Sequence, residues 1–279
     1  MSDSSYTNGE FCWQELGTRN MAACKDFYAA VAGLRHRDDP MPWGDEKYTT
    51  FLTEGGQVGG GYSMANMEQM EGVPAFWLGY VYSDDVDATA ARAVELGGSL
   101  MSEPMDVPGV CRMVVVRDPS GAMFGLFQPA GHPGMARHGF APGGFSWFEL
   151  MTPDVEGAKA FYGGLFGWTA ESNPMSNGVE YTSWKLGDQG FGGIMPMDGE
   201  EWASIPPHWL AYLTVNDVDA AVAAAVEHGG RVHVPPTDIA EVGRFSMIAD
   251  PDGAMLSIIA YAGDPASEGD GEPTAAAVG

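Results

Sequence analysis

The chain has 279 residues, 45% of them hydrophobic and 11% aromatic, which is an ordinary composition and enough length for two domains. Its 13 Lys and Arg residues stand against 38 Asp and Glu residues, a formal net charge of −25. Such a field repels phosphate backbones, so we expect no nucleic-acid partner. We also expect no membrane span, because no run of about 18 apolar residues occurs. The first ten residues lack the basic and apolar regions of a signal peptide, which predicts a cytoplasmic protein.

The sequence contains an internal repeat with an offset of 132 to 134 residues. Similar segments recur in the same order in both halves, which indicates a duplicated domain. The matched segments are 11–16 (FCWQEL) with 145–150 (FSWFEL), 48–51 (YTTF) with 181–184 (YTSW), 77–80 (WLGY) with 209–212 (WLAY), 85–88 with 217–220 (both DVDA), and 118–123 (DPSGAM) with 250–255 (DPDGAM).

Strand and helix signals alternate within each copy. Residues 11–17 alternate as in a strand, which places Phe11, Trp13 and Glu15 on one face. Asn20 is a favourable N-cap for an amphipathic helix. The pattern predicts a β-α-β-β-β unit twice in each domain. In the first domain the predicted helices are 21–31 and 86–96, and the predicted strands are 11–17, 47–53, 57–64, 76–82, 99–105, 111–117 and 122–128.

The repeat also predicts the domain boundaries. The first domain covers residues 10–128 and the second covers 145–262, and the Gly- and Pro-rich segment 129–144 joins them. We expect residues 1–9 to be flexible. The acidic segment 263–279, which has no aromatic residue, is expected to be disordered.

The motifs resemble those of the vicinal oxygen chelate superfamily, the group of glyoxalase, bleomycin-resistance and dioxygenase proteins. More narrowly, the chain looks like the actinobacterial two-domain glyoxalase-like proteins of the "hydroxylase-like" type. The resemblance extends over residues 10–262. It implies an α+β fold of two tandem domains, each made of two β-α-β-β-β modules whose curled sheets enclose a cavity. It leaves function open, because the superfamily contains both metal-dependent enzymes and metal-free antibiotic-binding proteins.

The resemblance also implies where metal ligands would stand. In metal-binding relatives, one ligand lies 14 residues before the Phe of the FY pair, one lies on the first strand of the second module, and one lies seven residues after the Asp of DPxG. The three positions fall on Trp13 and Trp147, on Leu78 and Leu210, and on Gly125 and Ser257. Indole, Leu and Gly side chains offer no ligand lone pair, so we expect neither a metal nor another cofactor. A shifted site of Glu149 and His208 is the alternative to a simple structural role for these two residues.

Aromatic and Met side chains on inward strand faces suit a large flat ligand, because stacking adds about 0.5–1.5 kcal/mol per ring pair beyond the buried area. The alternative is that these residues only form the core. The predicted ligand-binding residues are Trp13, Glu15, Tyr48, Tyr80 and Met123 in the first domain, and Trp147, Glu149, Tyr181, Trp184, His208, Tyr212, Met255 and Ser257 in the second.

The resemblance and the inward residues suggest three functions. The first is a metal-independent protein that binds a planar aromatic antibiotic or biosynthetic intermediate, for example an anthracycline, in self-resistance or as an accessory in biosynthesis. The second is an enzyme, such as an isomerase, cyclase or hydroxylase-like catalyst, with Glu149 and His208 as acid and base. The third, a metal-dependent glyoxalase-type lyase, lacks its ligands. The acidic surface suits a cationic ligand, for example one with an amino sugar. The sequence is compatible with a monomer or a homodimer.

Overall fold

The computed structural model describes residues 6–41, 46–136, 140–174 and 180–263. In this part of the chain each half forms its own mixed β-sheet, with nine strands in the first half and eight in the second. Two helices accompany each sheet. The tandem α+β architecture expected from the repeat is confirmed, since no strand belongs to both sheets.

The elements follow the same order in both domains. In the first domain they are β1 (Phe11–Thr18), α1 (Met21–Ala32), β2 (Arg35–Pro40), β3 (Lys47–Thr53), β4 (Gly56–Ser63), β5 (Phe76–Tyr82), α2 (Val86–Glu95), β6 (Ser99–Leu100), β7 (Met105–Val107), β8 (Cys111–Arg117) and β9 (Met123–Pro129). In the second they are β10 (Phe145–Thr152), α3 (Val155–Phe166), β11 (Thr169–Pro174), β12 (Glu180–Leu186), β13 (Gln189–Pro196), β14 (His208–Thr214), α4 (Val218–Glu227), β15 (Arg231–Ile239), β16 (Gly243–Ala249) and β17 (Met255–Tyr261).

Each sheet joins two four-stranded modules side by side. The strand order is β2-β3-β4-β1-β5-β9-β8-β6 in the first domain and β11-β12-β13-β10-β14-β17-β16-β15 in the second. The modules meet through antiparallel pairs, β1 with β5 and β10 with β14. The sheets stay open, because the edge strands at the two ends of each order do not pair with each other.

One strand of each first module has no hydrophobic signal in the sequence. Strand β2 reads RHRDDP, and all its side chains are exposed or half-buried. It is an edge strand that pairs only with β3, so backbone hydrogen bonds rather than apolar burial hold it.

The sequence signals for the ends of helix α1 were more informative. Asn20 caps α1 through a side-chain oxygen that accepts from the amide of Ala23, and Gly33 ends the helix with a φ of 67°.

The helices pack on one face of each sheet, and this face also forms the contact between the domains. Helix α1 contacts α4, and α2 contacts α3. Phe27 of α1 lies against Gly230 of the second domain, and Phe161 of α3 lies against Gly98 of the first. A side chain at either glycine would collide with the opposite ring. A single hydrophobic core therefore extends through both domains.

The structure corrects the predicted orientation of Phe11. Its ring stacks on Phe148 of the second domain at a centroid distance of 4.1 Å, on the helix face of the sheet. Trp13 and Glu15 point to the opposite face. The reason is an irregularity between Phe11 and Trp13 in the pairing with β5, which breaks the strict alternation of side chains.

The chain is packed before residue 10 and within the predicted linker. Tyr6 is buried, and its hydroxyl donates to the carbonyl of Met135 over 2.7 Å. The amides of Met135 and Ala136 donate to carbonyls of the first domain. Residues 1–5 and most of the predicted tail, 264–279, lie outside the described residues. Within the described residues, no helix is both long and apolar enough to cross a membrane.

Candidate functional site

The face of each sheet opposite the helices, here called the inner face, carries a hydrogen-bonded network. In the first domain Trp13 and Glu15 project from β1, Tyr48 from β3 and Tyr80 from β5. The indole Nε1 of Trp13 donates to the hydroxyl of Tyr48 over 2.8 Å. Tyr48 donates to Oε1 of Glu15 over 3.0 Å, and Tyr80 donates to Oε2 over 2.8 Å. Side chains from strands on either side of β1 thus converge on one carboxyl group.

The second domain repeats this network residue by residue. Trp147 donates to the hydroxyl of Tyr181 over 3.0 Å. Tyr181 and Tyr212 donate to the two oxygens of Glu149 over 3.0 and 2.9 Å. The sequence-predicted residues of the Trp-Tyr-Glu-Tyr type are therefore brought together in both domains.

Glycines make room for the tyrosine rings. Tyr48 crosses β4 on its way to Glu15, and it crosses at Gly60, the ladder partner of Glu15. A Cβ at Gly60 would lie 2.4 Å from the ring of Tyr48, and one at Gly125 would lie 2.1 Å from the ring of Tyr80. Gly193 has the same relation to Tyr181 in the second domain. These contacts explain why glycine stands in the middle of well-ordered strands.

The environment of the two carboxyl groups favours their protonated form. Burial raises the pKa of Glu15 and of Glu149, although the phenol hydrogen bonds partly offset this by stabilising the charged form. Burial and the neighbouring carboxyl group raise the pKa of the four network tyrosines, so these stay protonated and act as donors. In the described part of the chain, neither Glu pairs with a cationic side chain.

The two inner faces differ around these equal networks. The first domain has a third tyrosine, Tyr62, which lies opposite Tyr48 in the β3–β4 ladder. The second domain has Met195 at the same ladder position, two residues after Gly193. Glu149 is only 5% exposed, whereas Glu15 is half-buried. We call the first set of residues, Trp13, Glu15, Tyr48, Tyr62 and Tyr80, the first trough, and the second set, Trp147, Glu149, Tyr181, Met195 and Tyr212, the second trough.

The segment between the domains closes one end of the first trough. The ring of His132 meets Trp13 edge-on at a centroid distance of 4.5 Å and Phe127 at 5.8 Å. Burial lowers the pKa of His132 to about 4, so the imidazole is neutral near pH 7. Trp13 is buried beneath it, whereas Trp147 is only half-buried. Sequence reasoning gave no role to His132 or Tyr62, because neither recurs in the other copy.

The structure corrects the predicted place of Trp184. This residue is fully buried on the helix face, with its ring 5.9 Å from Tyr162 and 5.5 Å from Trp168. Tyr181 points to the inner face, and Trp184, three residues further along β12, points to the other side by strand alternation. Trp184 therefore belongs to the hydrophobic core and does not lie on the inner face with the other predicted ligand-binding residues.

The structure also separates Glu149 from His208 as an acid and base pair. His208 shares the inner face with Leu210 and Tyr212, but its Nδ1 lies 2.8 Å from the carbonyl oxygen of Pro206. Both oxygens of Glu149 accept from tyrosines. His208 pairs in the ladder with Met151, two residues beyond Glu149, so the two groups do not contact each other.

The remaining predicted residues lie around the networks. Met123 is 42% exposed at the start of β9. Met255 is half-buried and packs with Tyr212. Ser257 is fully buried and pairs with Tyr212 in the ladder between β14 and β17.

Other side chains occupy the positions at which metal-binding relatives carry their metal-ligating residues. Both indoles there are hydrogen-bond donors to tyrosine, Leu78 and Leu210 are buried, and the ring of Tyr80 covers Gly125. No group of three His, Cys, Asp or Glu side chains suited to a metal ion occurs in residues 6–41, 46–136, 140–174 and 180–263. This donor set does not fit the divalent metal of the metal-binding relatives.

The fold and the sequence together define the class of protein. A family model of the Glyoxalase/Bleomycin resistance protein/Dioxygenase superfamily matches residues 12–126 and again residues 144–258. The chain belongs to this superfamily and contains two of its domains in tandem.

Two relatives match nearly the whole chain. "Putative glyoxylase CFP32" of Mycobacterium tuberculosis is 36% identical over 260 residues, which cover 92% of this chain and 96% of that protein. "Anthracycline biosynthesis protein DnrV" of Streptomyces peucetius is 33% identical over 279 residues, which cover 95% of this chain and 98% of that protein.

Solved structures share the fold at low sequence identity. The Mn(II)-bound glyoxalase from Novosphingobium aromaticivorans has a TM-score of 0.61 at 19% identity and covers 91% of this chain and 82% of its own. Homoprotocatechuate 2,3-dioxygenase from Arthrobacter globiformis has a TM-score of 0.57 at 19% identity, with coverages of 96% and 85%. At this identity the similarity concerns the fold alone.

Proposed function

We propose that this protein binds a planar aromatic small molecule without a metal ion, in the cytoplasm, as part of natural-product biosynthesis or self-resistance. The observation that carries the proposal is the Trp-Tyr-Glu-Tyr network on the inner face of both domains, in which an indole stands at one of the family's ligand positions. Such a network offers ring surface and a few fixed polar groups, the usual combination in small-molecule sites.

The second trough is the better place for a flat ligand. Trp147 is half-buried, and no ring among the described residues of segment 129–144 contacts it, whereas His132 meets Trp13 edge-on. Like Trp147, the partly buried side chains of Phe245, Met247 and Met255 pack against the cluster that contains Tyr212. Thioethers adapt their shape to a ligand, and rings stack on it. Glu149 supplies one polar anchor beneath this apolar surface.

The relatives support the biosynthetic context. DnrV of Streptomyces peucetius and DauV of Streptomyces sp. strain C5 are both named anthracycline biosynthesis proteins, and each is 33% identical to this chain. An anthracycline is a fused, flat ring system, which matches the ligand class inferred from the second trough. We therefore extend the proposal to a polycyclic aromatic intermediate or product.

Calorimetry with an anthracycline aglycone, which has the flat rings but no amino sugar, tests the proposal. We expect a Kd in the low micromolar range, about −8 kcal/mol. Trp147→Ala should weaken binding by roughly 1–3 kcal/mol, because the stacking surface is lost and a cavity remains. Trp13→Ala is the matched control, and it should lower stability while leaving the affinity close to wild type. Equal affinity of wild type and Trp147→Ala would exclude Trp147 as a contact. A long-chain alcohol such as decanol should bind at least tenfold more weakly.

An enzymatic role is the second candidate, and one observation favours it. Glu149 is a carboxyl group whose pKa is raised by burial, and it lies beside two phenol donors, a combination suited to a general acid or base. Isomerisation or cyclisation of an enolisable polyketide would use such a group. Incubation of the same ligands with wild type and Glu149→Gln, followed by mass spectrometry and chromatography, separates this candidate from simple binding. If the ligand is unchanged after prolonged incubation with the protein at a saturating concentration, binding without catalysis is the function.

A further inference from the structure

The first trough contains a carboxyl group without a cationic partner. Glu15 accepts hydrogen bonds only from Tyr48 and Tyr80, and no Lys, Arg or His among the described residues pairs with it. A carboxylate has room for about four hydrogen bonds, so two lone-pair directions remain free. Taking such a group out of water is unfavourable unless an opposite charge compensates it. The side chain of Glu15 is more exposed than that of Glu149, which is 5% exposed.

Three tyrosine rings surround this carboxyl group. Tyr48 and Tyr80 are fixed by their hydrogen bonds, and their rings lie against the sheet at Gly60 and Gly125. Tyr62 stands opposite Tyr48 in the ladder and is half-buried. It stands two residues after Gly60, the ladder partner of Glu15, and so lies on the same face of β4. A carboxylate lined by several aromatic rings is the arrangement that binds organic cations, because the ring faces are electron-rich.

The second trough lacks two parts of this arrangement. Met195 stands at the ladder position of Tyr62, and Ser257 stands at that of Gly125. Its carboxyl group is also closed off from solvent. The chain therefore provides an internal control, in which the same Trp-Tyr-Glu-Tyr network occurs without the third ring.

We propose that the first trough binds an organic ammonium group, whose positive charge favours the ionised form of Glu15 and which lies beside the rings of Tyr48 and Tyr62. The net charge of −25 attracts cations to the whole surface, and the first trough binds one of them at a defined position. This proposal is independent of the flat ligand in the second trough. A polycyclic molecule with an amino substituent could place its ring system in the second trough or its ammonium group in the first.

The test compares benzylammonium with benzyl alcohol, a neutral probe of the same shape, by calorimetry at constant ionic strength. Wild type should bind benzylammonium at least tenfold more tightly than benzyl alcohol. Glu15→Gln should weaken benzylammonium binding about tenfold or more and leave benzyl alcohol unchanged. Glu149→Gln, the matched control, should bind benzylammonium like wild type. Equal losses in both variants would show a general charge effect and overturn the proposal, as would equal binding of the two probes.

A second pair of variants leaves the Glu15 network intact. Tyr62→Met copies the second trough into the first and should weaken benzylammonium binding about fivefold, the loss of one cation–π contact. The reciprocal Met195→Tyr should not restore tight binding, because Glu149 stays buried. Unchanged affinity in Tyr62→Met would remove the third ring from the site and contradict the proposal. The aglycone experiment on Trp147 is unaffected by either result, so the two proposals fail separately.

Discussion

Tyr28 of the first domain donates its phenol hydrogen to Oδ2 of Asp250 in the second, over 3.0 Å. Oδ1 of the same carboxylate accepts the backbone amides of residues 252, 253 and 254 and so holds the turn between β16 and β17. The reverse relation is also present, since Tyr162 donates to Asp118 over 3.0 Å. A helix of each domain therefore supports a turn of the other. The two domains should unfold as one cooperative unit.

Removing these phenol groups should destabilise the whole chain. Tyr28→Phe and Tyr162→Phe each leave a buried carboxylate oxygen with one donor fewer, and each also deprives a neighbouring indole, Trp77 or Trp209, of its acceptor. We expect a loss of about 1–3 kcal/mol in the free energy of unfolding per variant. Urea denaturation followed by fluorescence and by circular dichroism measures it.

Tyr82→Phe serves as the control for this experiment, because its hydroxyl makes no hydrogen bond with the described residues. Its effect should stay within about 0.5 kcal/mol. The two spectroscopic transitions should coincide in all variants. Two separated transitions, one for each half of the chain, would contradict the single core.

A methyl group at Gly125 should disturb the first network. In Gly125→Ala the new Cβ meets the ring of Tyr80 at 2.1 Å, so the ring must leave its hydrogen bond with Glu15. Overpacking of this kind costs about 1–3 kcal/mol. In a Tyr80→Ala background the same substitution should cost far less, since the colliding ring is absent. A double-mutant cycle with a coupling free energy near zero would show that the two residues do not compete for space.

The pH dependence of stability should reflect the buried carboxyl groups. Burial raises the pKa of Glu149, so the folded protein holds this proton at a pH where the unfolded chain has released it. Its contribution to stability is complete below the unfolded pKa and is lost as the pH rises through the folded pKa. Glu149→Gln should therefore show a smaller decrease in the free energy of unfolding than wild type as the pH rises above the pKa of the carboxyl group in the unfolded chain.

Glu227→Gln, at the exposed end of α4, controls for the general loss of one negative charge. Its pH profile should run parallel to that of wild type. The loss of hydrogen bonds in Glu149→Gln lowers the free energy of unfolding by a similar amount at every pH. It therefore does not by itself change the slope of stability against pH. A wild-type slope in Glu149→Gln would mean that the carboxylate is ionised in the folded protein as easily as in solvent.

Metal removal should leave the protein unchanged. We expect less than about 0.1 equivalent of zinc, nickel, manganese or iron per chain by mass spectrometry, because indole, Leu, Gly and Ser stand at the family's ligand positions. Melting temperature and aglycone affinity should be the same before and after dialysis against EDTA. One equivalent of metal, with aglycone binding lost on chelation, would point to a site built from other residues.

The sequence predicted the fold well where hydrophobic patterning and the repeat act together. The core strands, the four helices and the shared inner face of Trp13 and Glu15 follow from alternation and from the two matching copies. Strand β2 does not follow, because a polar edge strand such as RHRDDP has no apolar period to detect. The orientation of Phe11 could not be predicted for a different reason. A local irregularity in the pairing of β1 with β5 reverses the sheet face that strict alternation predicts for this residue.

The site was predictable as a set of residues but not as a set of contacts. Tyr48 and Tyr80 stand far from Glu15 in sequence, and only the folded sheets show that both donate to it. Trp184 illustrates the limit, because the sequence does not tell which aromatic residues of a strand lie on the helix face of the sheet. The role of Gly60 and Gly125 is also invisible until the rings above them are placed.

The covalent fusion of the two copies allows their binding surfaces to diverge. In a symmetric homodimer every substitution appears twice, so a change that suits one pocket is imposed on the other. At equivalent ladder positions the first domain has Tyr62 and Gly125 where the second has Met195 and Ser257. The Tyr–Asp hydrogen bonds across the interface are the same in both directions. A single chain thus combines a symmetric interface with two unlike inner faces, and under the proposed binding function each face can specialise for a different part of a molecule or for a different molecule.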